Sequence, residues 1–424
     1  MKYVGIALVG WLAAFTAVSM AWDPLVLMTL VNLGFVSVYP FDVAFGVAVL
    51  MLLVANSLHL RPDPVPLNRA VLWVCGAYIM YQLVVVLPVA ILLHDLRPID
   101  VVRMQEVRLA VVLIPVTYSI VLKFWKPSVI VTLFDAAAAL LALWVLYRYV
   151  TVGGEGYWDG TVFRMRAVWG GATLLFGWLL LTSLFYWPVR PLRFALALLA
   201  VTGLILANHR SGIMALLVSL VVQLIAMRGL ARRVVLLLTL AVVVVAGVLL
   251  ASPAVRDSVA YSLRTMTNAE ADPNASDRVV RAKLGMAYFQ EHPLGDFIWN
   301  QRYYLVNMTG ANSYAPHNFV VQLLVTQGLV ATGLFLSVIA LALIIAWRNR
   351  RDALSAVMLS YLSFYVVFCA FNTNIDVNQN VALFVVAVAL VLYRNLVLHE
   401  EAGASVRSLE GAHASPLAQV SLKV

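Results

Sequence analysis

The chain has 424 residues, of which 63% are apolar and only 12% charged, and its mean hydropathy is +0.92. Soluble domains carry about 45–50% apolar and about 25% charged residues, so this composition excludes a water-soluble enzyme, a fibre and a disordered chain, and leaves a polytopic membrane protein. The net charge of +9 does not point to nucleic acid, because the basic residues fall in loops between apolar runs.

A helix needs about 20 mostly apolar residues to cross about 30 Å of hydrocarbon. Twelve runs meet that need, at roughly 3–22, 40–57, 70–93, 105–123, 127–149, 166–187, 192–208, 210–227, 234–251, 318–346, 354–372 and 378–397. The expected fold is all-α, a polytopic integral membrane protein of about 12 transmembrane helices. The apolar stretch 25–38 is short for a crossing and reads as a re-entrant or interfacial piece, with a thirteenth crossing as the alternative. The first run reads as an uncleaved helix rather than a signal peptide. Cys75 and Cys369 each lie inside an apolar run, form no metal or redox motif, and read as packing residues.

Lys and Arg in short loops set the orientation. Lys123 and Lys126, Arg190 and Arg193, Arg228, Arg232 and Arg233, and Arg348, Arg350 and Arg351 all fall on one side if the spans alternate. That side is expected to be cytoplasmic, with both termini. The chain then divides into spans one to nine (1–251), one large outer loop with short helices (252–317), spans ten to twelve (318–398) and a polar tail (399–424) expected to be a disordered cytoplasmic segment.

With this topology, 16 of the 29 Lys and Arg lie inside and 13 outside. The positive-inside rule does not account for so many outer cations. Arg97, Arg103 and Arg108 crowd one short outer loop, Arg164 and Arg166 sit in the next, and Arg210 stands where Asn208-His209-Arg210-Ser211-Gly212 joins two spans. The large loop adds Arg256, Arg264, Arg278, Arg281, Lys283 and Arg302. The planar fork of arginine matches phosphate, so an anionic partner is one reading; pairing with outer acids such as Asp95, Asp100 and Asp277 is the other.

Within the loop, 276–293 predicts a helix capped by Ser276 and stopped by Pro293, with an apolar stripe of Val280, Leu284 and Ala287. Arg278 and Arg281 lie one turn apart and could grip one phosphate together. His317 falls where the loop re-enters the membrane, placed either to exchange a proton or simply to cap or pack a helix start. Asn372, Asn374, Asp376, Asn378 and Asn380 alternate like a calcium loop but lack its turn glycine and closing glutamate, so they read as a solvated loop and no metal site is expected. Asp135 lies mid-span, an intramembrane acid read as buried and hydrogen-bonded.

These residues together resemble the O-antigen ligase/polymerase superfamily, and its ligase branch most. Ligases carry His-Asn/Ser/Gln, nine residues, then Gly, which His317, Asn318 and Gly328 match. The fourth position counted from that glycine is Ala331, where Gly, Thr or Val is usual. Arg278 stands about fifteen residues ahead of His292-Pro293, as in the family, although the usual tryptophan between them is absent. Arg210 matches an outer-mouth arginine, with Met214 in place of the usual leucine. The resemblance implies a GT-C-like, metal-independent glycosyltransferase of the bacterial inner membrane, without a cofactor and with its site facing the periplasm. Its donor would be undecaprenyl-diphosphate-linked O-antigen and its acceptor lipid A–core, completing lipopolysaccharide. His317 would be the base, and Arg210, Arg278 and Arg281, with Arg103 and Arg108, would hold the diphosphate. The alternatives are an O-antigen polymerase, whose usual pair of Arg, ten residues, Gly spacings the outer loops do not carry, and a lipid-linked oligosaccharide transporter or flippase.

Overall fold

The computed structural model describes residues 2–21, 31–32, 37–38, 43–51 except 45, 63–94, 110–152, 155–159, 162–166, 170–207 except 189, 209–226, 273–295, 318–371 and 378–414, with isolated residues at 168, 247, 253, 256–257 and 260. Its helices are α1 (Lys2–Ala21), α2 (Pro66–Val89), α3 (Leu113–Phe124), α4 (Pro127–Val152), α5 (Ala172–Tyr186), α6 (Pro191–Ala207), α7 (Arg210–Ala226), α8 (Pro273–Glu291), α9 (Phe319–Arg348), α10 (Ala353–Ala370) and α11 (Asn378–Ala414). Among the described residues, six helices are long and apolar enough to cross a membrane, and α3, α5, α6 and α7 are shorter apolar helices. The protein is a multi-pass membrane protein. Ten of the twelve expected runs coincide in whole or in part with these helices. The run 40–57 is helical at the residues described within 43–51, and 234–251 lies outside the described residues except for 247.

Val31–Asn32 pairs antiparallel with Ser37–Val38, which excludes a helical thirteenth crossing through these residues, while 25–30 and 33–36 lie outside the described residues. Val31 and Val38, paired across the two strands, are β-branched and suit a strand. The outer segment expected as a plain loop holds a second hairpin, Glu155–Asp159 with Val162–Arg166, in which Glu155 lies opposite Arg166 and Tyr157 opposite Arg164. The following helix therefore begins at Ala172 rather than at 166.

The tail also differs from the expected disordered segment. Helix α11 runs on through Ala414. Its extension 399–414 carries four Ala and three Glu, which favour helix, against two Gly, which do not. Arg394 pairs with Glu401 at 3.3 Å and the Ser405 hydroxyl donates to the Glu401 carbonyl, which ties the first turns of the extension to the membrane helix.

The bundle has two chemically distinct ends. At one, Trp125 Nε1 donates to Lys2 O at 3.0 Å, and Asn349, Asn395 and Asn68 form a chain of amide bonds at 2.8 Å each. Arg394 pairs with Asp352 at 2.8 Å at the same end. These contacts put the start of α1, the start of α2, the end of α3, the α9–α10 turn and the middle of α11 together, as strict alternation of the spans requires. Slightly deeper, Asp135 accepts from Thr182 Oγ1 at 2.6 Å, Trp187 Nε1 at 2.8 Å and Arg193 Nη1 at 3.1 Å. An acid held by three donors ties α4, α5 and α6 together, which is a structural role for it. Cys75 and Cys369 are both buried free thiols.

The core between the ends is built from α1 to α7 and α9 to α11, with Trp178, Tyr78, Tyr361, Phe364, Phe368 and Phe384 among its largest buried side chains. Small residues let the helices approach closely. A Cβ on Gly177 would lie 2.7 Å from the Phe364 ring, and one on Gly203 would lie 2.9 Å from the Phe176 ring.

Candidate functional site at the loop end of the bundle

At the opposite end, α6 stops at Ala207 and α7 starts at Arg210, with His209 between them. The His209 carbonyl accepts from Gly212 N at 2.9 Å and Ile213 N at 3.2 Å, so it closes the first turn of α7. Its ring is buried, with Nδ1 2.6 Å from Ser211 Oγ and the ring centroid 5.2 Å from that of Phe368 on α10. A Cβ on Gly170 would fall 2.3 Å from the imidazole Cδ2, so the chain ahead of α5 lies flat on this histidine. The sequence reading passed over His209 in favour of Arg210. Its only signal was its place in a turn too short to let it escape burial. Arg210 itself opens α7, as the loop-end position predicted for it requires.

Helix α8 brings the next arginines. It begins at Pro273, three residues ahead of the expected cap at Ser276; proline suits a first helical position because its missing N–H is not needed there. The apolar face that packs is not Val280, Leu284 and Ala287. It is Ala282, Met286, Tyr288 and Phe289, laid against Val321 and Val325 of α9, while Val279 and Val280 are exposed. Gly285 is buried under the same face. Arg278 is half-buried, and its Nη1 donates to the carbonyl of Phe371, the residue closing α10, at 3.4 Å. A cation at a helix C-terminus is electrostatically favoured there. Arg281, one turn along, is also half-buried, and its Nη1 is fully enclosed.

The turn after α8 explains the glycine of the His317-Asn318…Gly328 pattern. Inside α9, Gly328 has φ +73 and ψ −178, which breaks the helix. Gly295 has φ +80. The two glycines face each other: a Cβ on Gly328 would lie 2.2 Å from the Leu294 carbonyl oxygen, and one on Gly295 would lie 2.4 Å from Gly328 N. The break frees Leu329 N, which donates to the Pro293 carbonyl at 3.1 Å. Tyr78 Oη and Gln82 Nε2 of α2 both donate to Gln327 Oε1, at 2.8 and 3.0 Å, and hold the break from the other side. His292-Pro293 therefore marks the turn that docks the loop helix into a membrane helix.

Asn318 caps α9. Its Oδ1 accepts from Val320 N at 3.0 Å and Val321 N at 3.1 Å. The capping task that competed with chemistry for His317 thus belongs to its neighbour. One turn below, Gln322 is buried. His317, Arg103 and Arg108 lie outside the described residues, as does 372–377 of the Asn-rich loop. The structure thus gathers Arg278, Arg281, the Arg210 helix start and the Asn318 cap at one end of the bundle. It does so through α8 docked on α9 and through Phe368 and Phe371 of α10.

A comparison with protein families matches residues 195–336 to the O-antigen ligase family, Wzy_C. The matched segment runs from α6 into α9 and contains Arg210, Arg278, Arg281, His317 and Gly328. No curated protein matches the chain.

Proposed function

With residues 195–336 matching the O-antigen ligase family, we propose that the chain is an O-antigen ligase. It moves the glycan from undecaprenyl diphosphate to lipid A–core at the periplasmic face of the bacterial inner membrane. The observation that carries this reading is the docking of α8 on Val321 and Val325 of α9, which sets Arg278 against Phe371 at the end of α10, one turn from the Phe368 that packs on His209, the residue before Arg210. In the proposed reaction His317 takes the proton of an acceptor sugar hydroxyl, whose oxygen attacks the anomeric carbon. The bond from that carbon to the diphosphate breaks, and undecaprenyl diphosphate leaves. Arg210, Arg278 and Arg281, with Arg103 and Arg108, hold the negative charge that develops on the diphosphate. Diphosphate held this way is a competent leaving group without a metal ion, which is why the reading is metal-independent.

The test is His317→Ala, with transfer per folded molecule measured beside donor binding. General-base catalysis contributes about 10²–10⁴-fold. The variant should fold, bind the lipid-linked donor through its intact arginines, and transfer no detectable glycan. Near-normal transfer would remove the base from the mechanism.

A further inference from the structure

We propose that Gln322 is a specificity-determining residue whose side-chain amide takes a sugar hydroxyl of the glycan substrates; this rests on the glycan-transfer reading above. Gln322 is 1% exposed, and neither its Oε1 nor its Nε2 has a hydrogen-bond partner among the described residues. Its backbone is fully engaged: N donates to Asn318 O at 3.0 Å, and O accepts from Thr326 Oγ1 at 2.7 Å. The side chain is therefore held in an ordered helix and not at a frayed end. Five residues along the same helix, Gln327 has its Oε1 satisfied twice. Buried amides without partners are rare, and a membrane bundle offers little water to relieve them.

Position narrows the role. On α9, Phe319 and Leu323 enter the bundle core, whereas Val321 and Val325 meet α8. Helical spacing puts Gln322 on the sector between those two faces, with Asn318 and Thr326 one turn to either side. That sector is the seam between the bundle and the helix that carries Arg278 and Arg281. At its upper end stands Asn318, the cap of α9, and Arg278 of the same loop helix bonds to Phe371.

The chemistry selects the ligand. A carboxamide offers an acceptor oxygen and two N–H donors. A phosphate only accepts, and a lipid tail does neither. A hydroxyl both donates and accepts, so a sugar hydroxyl engages both ends of the amide. The hydroxyl belongs either to the first sugar of the donor or to the acceptor sugar.

Gln322→Leu keeps most of the volume and removes both polar atoms. Steady-state transfer should fall about 10–100-fold in kcat/KM, as expected for one or two lost hydrogen bonds. A rise in KM for the donor assigns the hydroxyl to the donor sugar, and a rise for lipid A–core assigns it to the acceptor. Binding of sugar-free undecaprenyl diphosphate should be unchanged. The thermal midpoint should stay the same or rise, because the Leu variant loses an amide that has no partner to miss it. Gln322→Asn, which keeps the amide but withdraws it by one methylene, should lose transfer to a smaller degree. Wild-type kcat/KM toward both substrates in the Leu variant, or in the Asn variant if the Leu variant does not accumulate, would overturn the proposal. So would a lower thermal midpoint with unchanged activity per folded molecule, which marks a structural amide. If the wild-type protein itself transfers no glycan, the ligase reading fails first and this inference with it.

Discussion

The arginines singled out are the ones that the expected topology puts outside, 13 of the 29 Lys and Arg, and two of them, Arg278 and Arg281, are half-buried on the loop helix. Arg278 spends its Nη1 on a 3.4 Å bond to the Phe371 carbonyl. A bond that long is weak. Arg210→Ala and Arg278→Ala should each slow transfer by about 10²–10³, the loss expected when one preorganised donor to developing charge is removed. Lysine at either position should restore only part of it, since an ammonium lacks the bidentate fork. Both alanine variants running at wild-type rate, at equal expression, would leave the clamp without support. These arginines were legible in the sequence because they cluster in the loops expected on the side opposite the short basic turns, where an anionic partner and pairing with nearby acids are the two readings. Gln322 and His209 were not legible, because a lone polar residue in an apolar run does not disclose whether the fold will give it a partner.

At the scale of elements, the sequence reading found most helices because apolar length alone announces a membrane span. It misplaced the packing face of α8. Val280, Leu284 and Ala287 form as good a stripe on paper as Ala282, Met286 and Phe289, and only the partner helix decides between them. It also read Gly328 as a motif position without a reason. The reason is conformational: φ +73 with ψ −178 is a region that side chains other than glycine occupy only with about 1–3 kcal/mol of strain, and the Leu294 carbonyl fills the space where a Cβ would stand. Gly328→Ala should therefore release α8 from α9 while the rest of the bundle stays folded. Limited proteolysis should then cut between 273 and 295 sooner than in the wild type, and transfer should fall at least tenfold. A variant that resists proteolysis and transfers normally would show that the docked turn does not position the site.

For the whole molecule, the contacts show which segments share an end of the bundle. The contacts of Lys2 with Trp125, and of Asn68, Asn349 and Asn395 with one another, collect the segments assigned to the cytoplasm at one end. The arginine-bearing elements meet at the other. A reporter fused after Arg233 or Arg351 should read cytoplasmic, and one inserted near Asn274 periplasmic. A cytoplasmic signal near Asn274 would put the arginines on the wrong face for a periplasmic reaction. In the polar tail alanine and glutamate suit helices and disordered segments alike; the membrane helix continues through Ala414, and 415–424 lies outside the described residues. The most direct measurement is transfer itself. Purified protein in proteoliposomes is given undecaprenyl-diphosphate-linked glycan and lipid A–core, with chelator present and no nucleotide. The account predicts that lipid A–core acquires the glycan and that undecaprenyl diphosphate is released in equal amount. Lengthening of the lipid-linked glycan with unmodified core, or no transfer by folded protein that binds the donor, would contradict it.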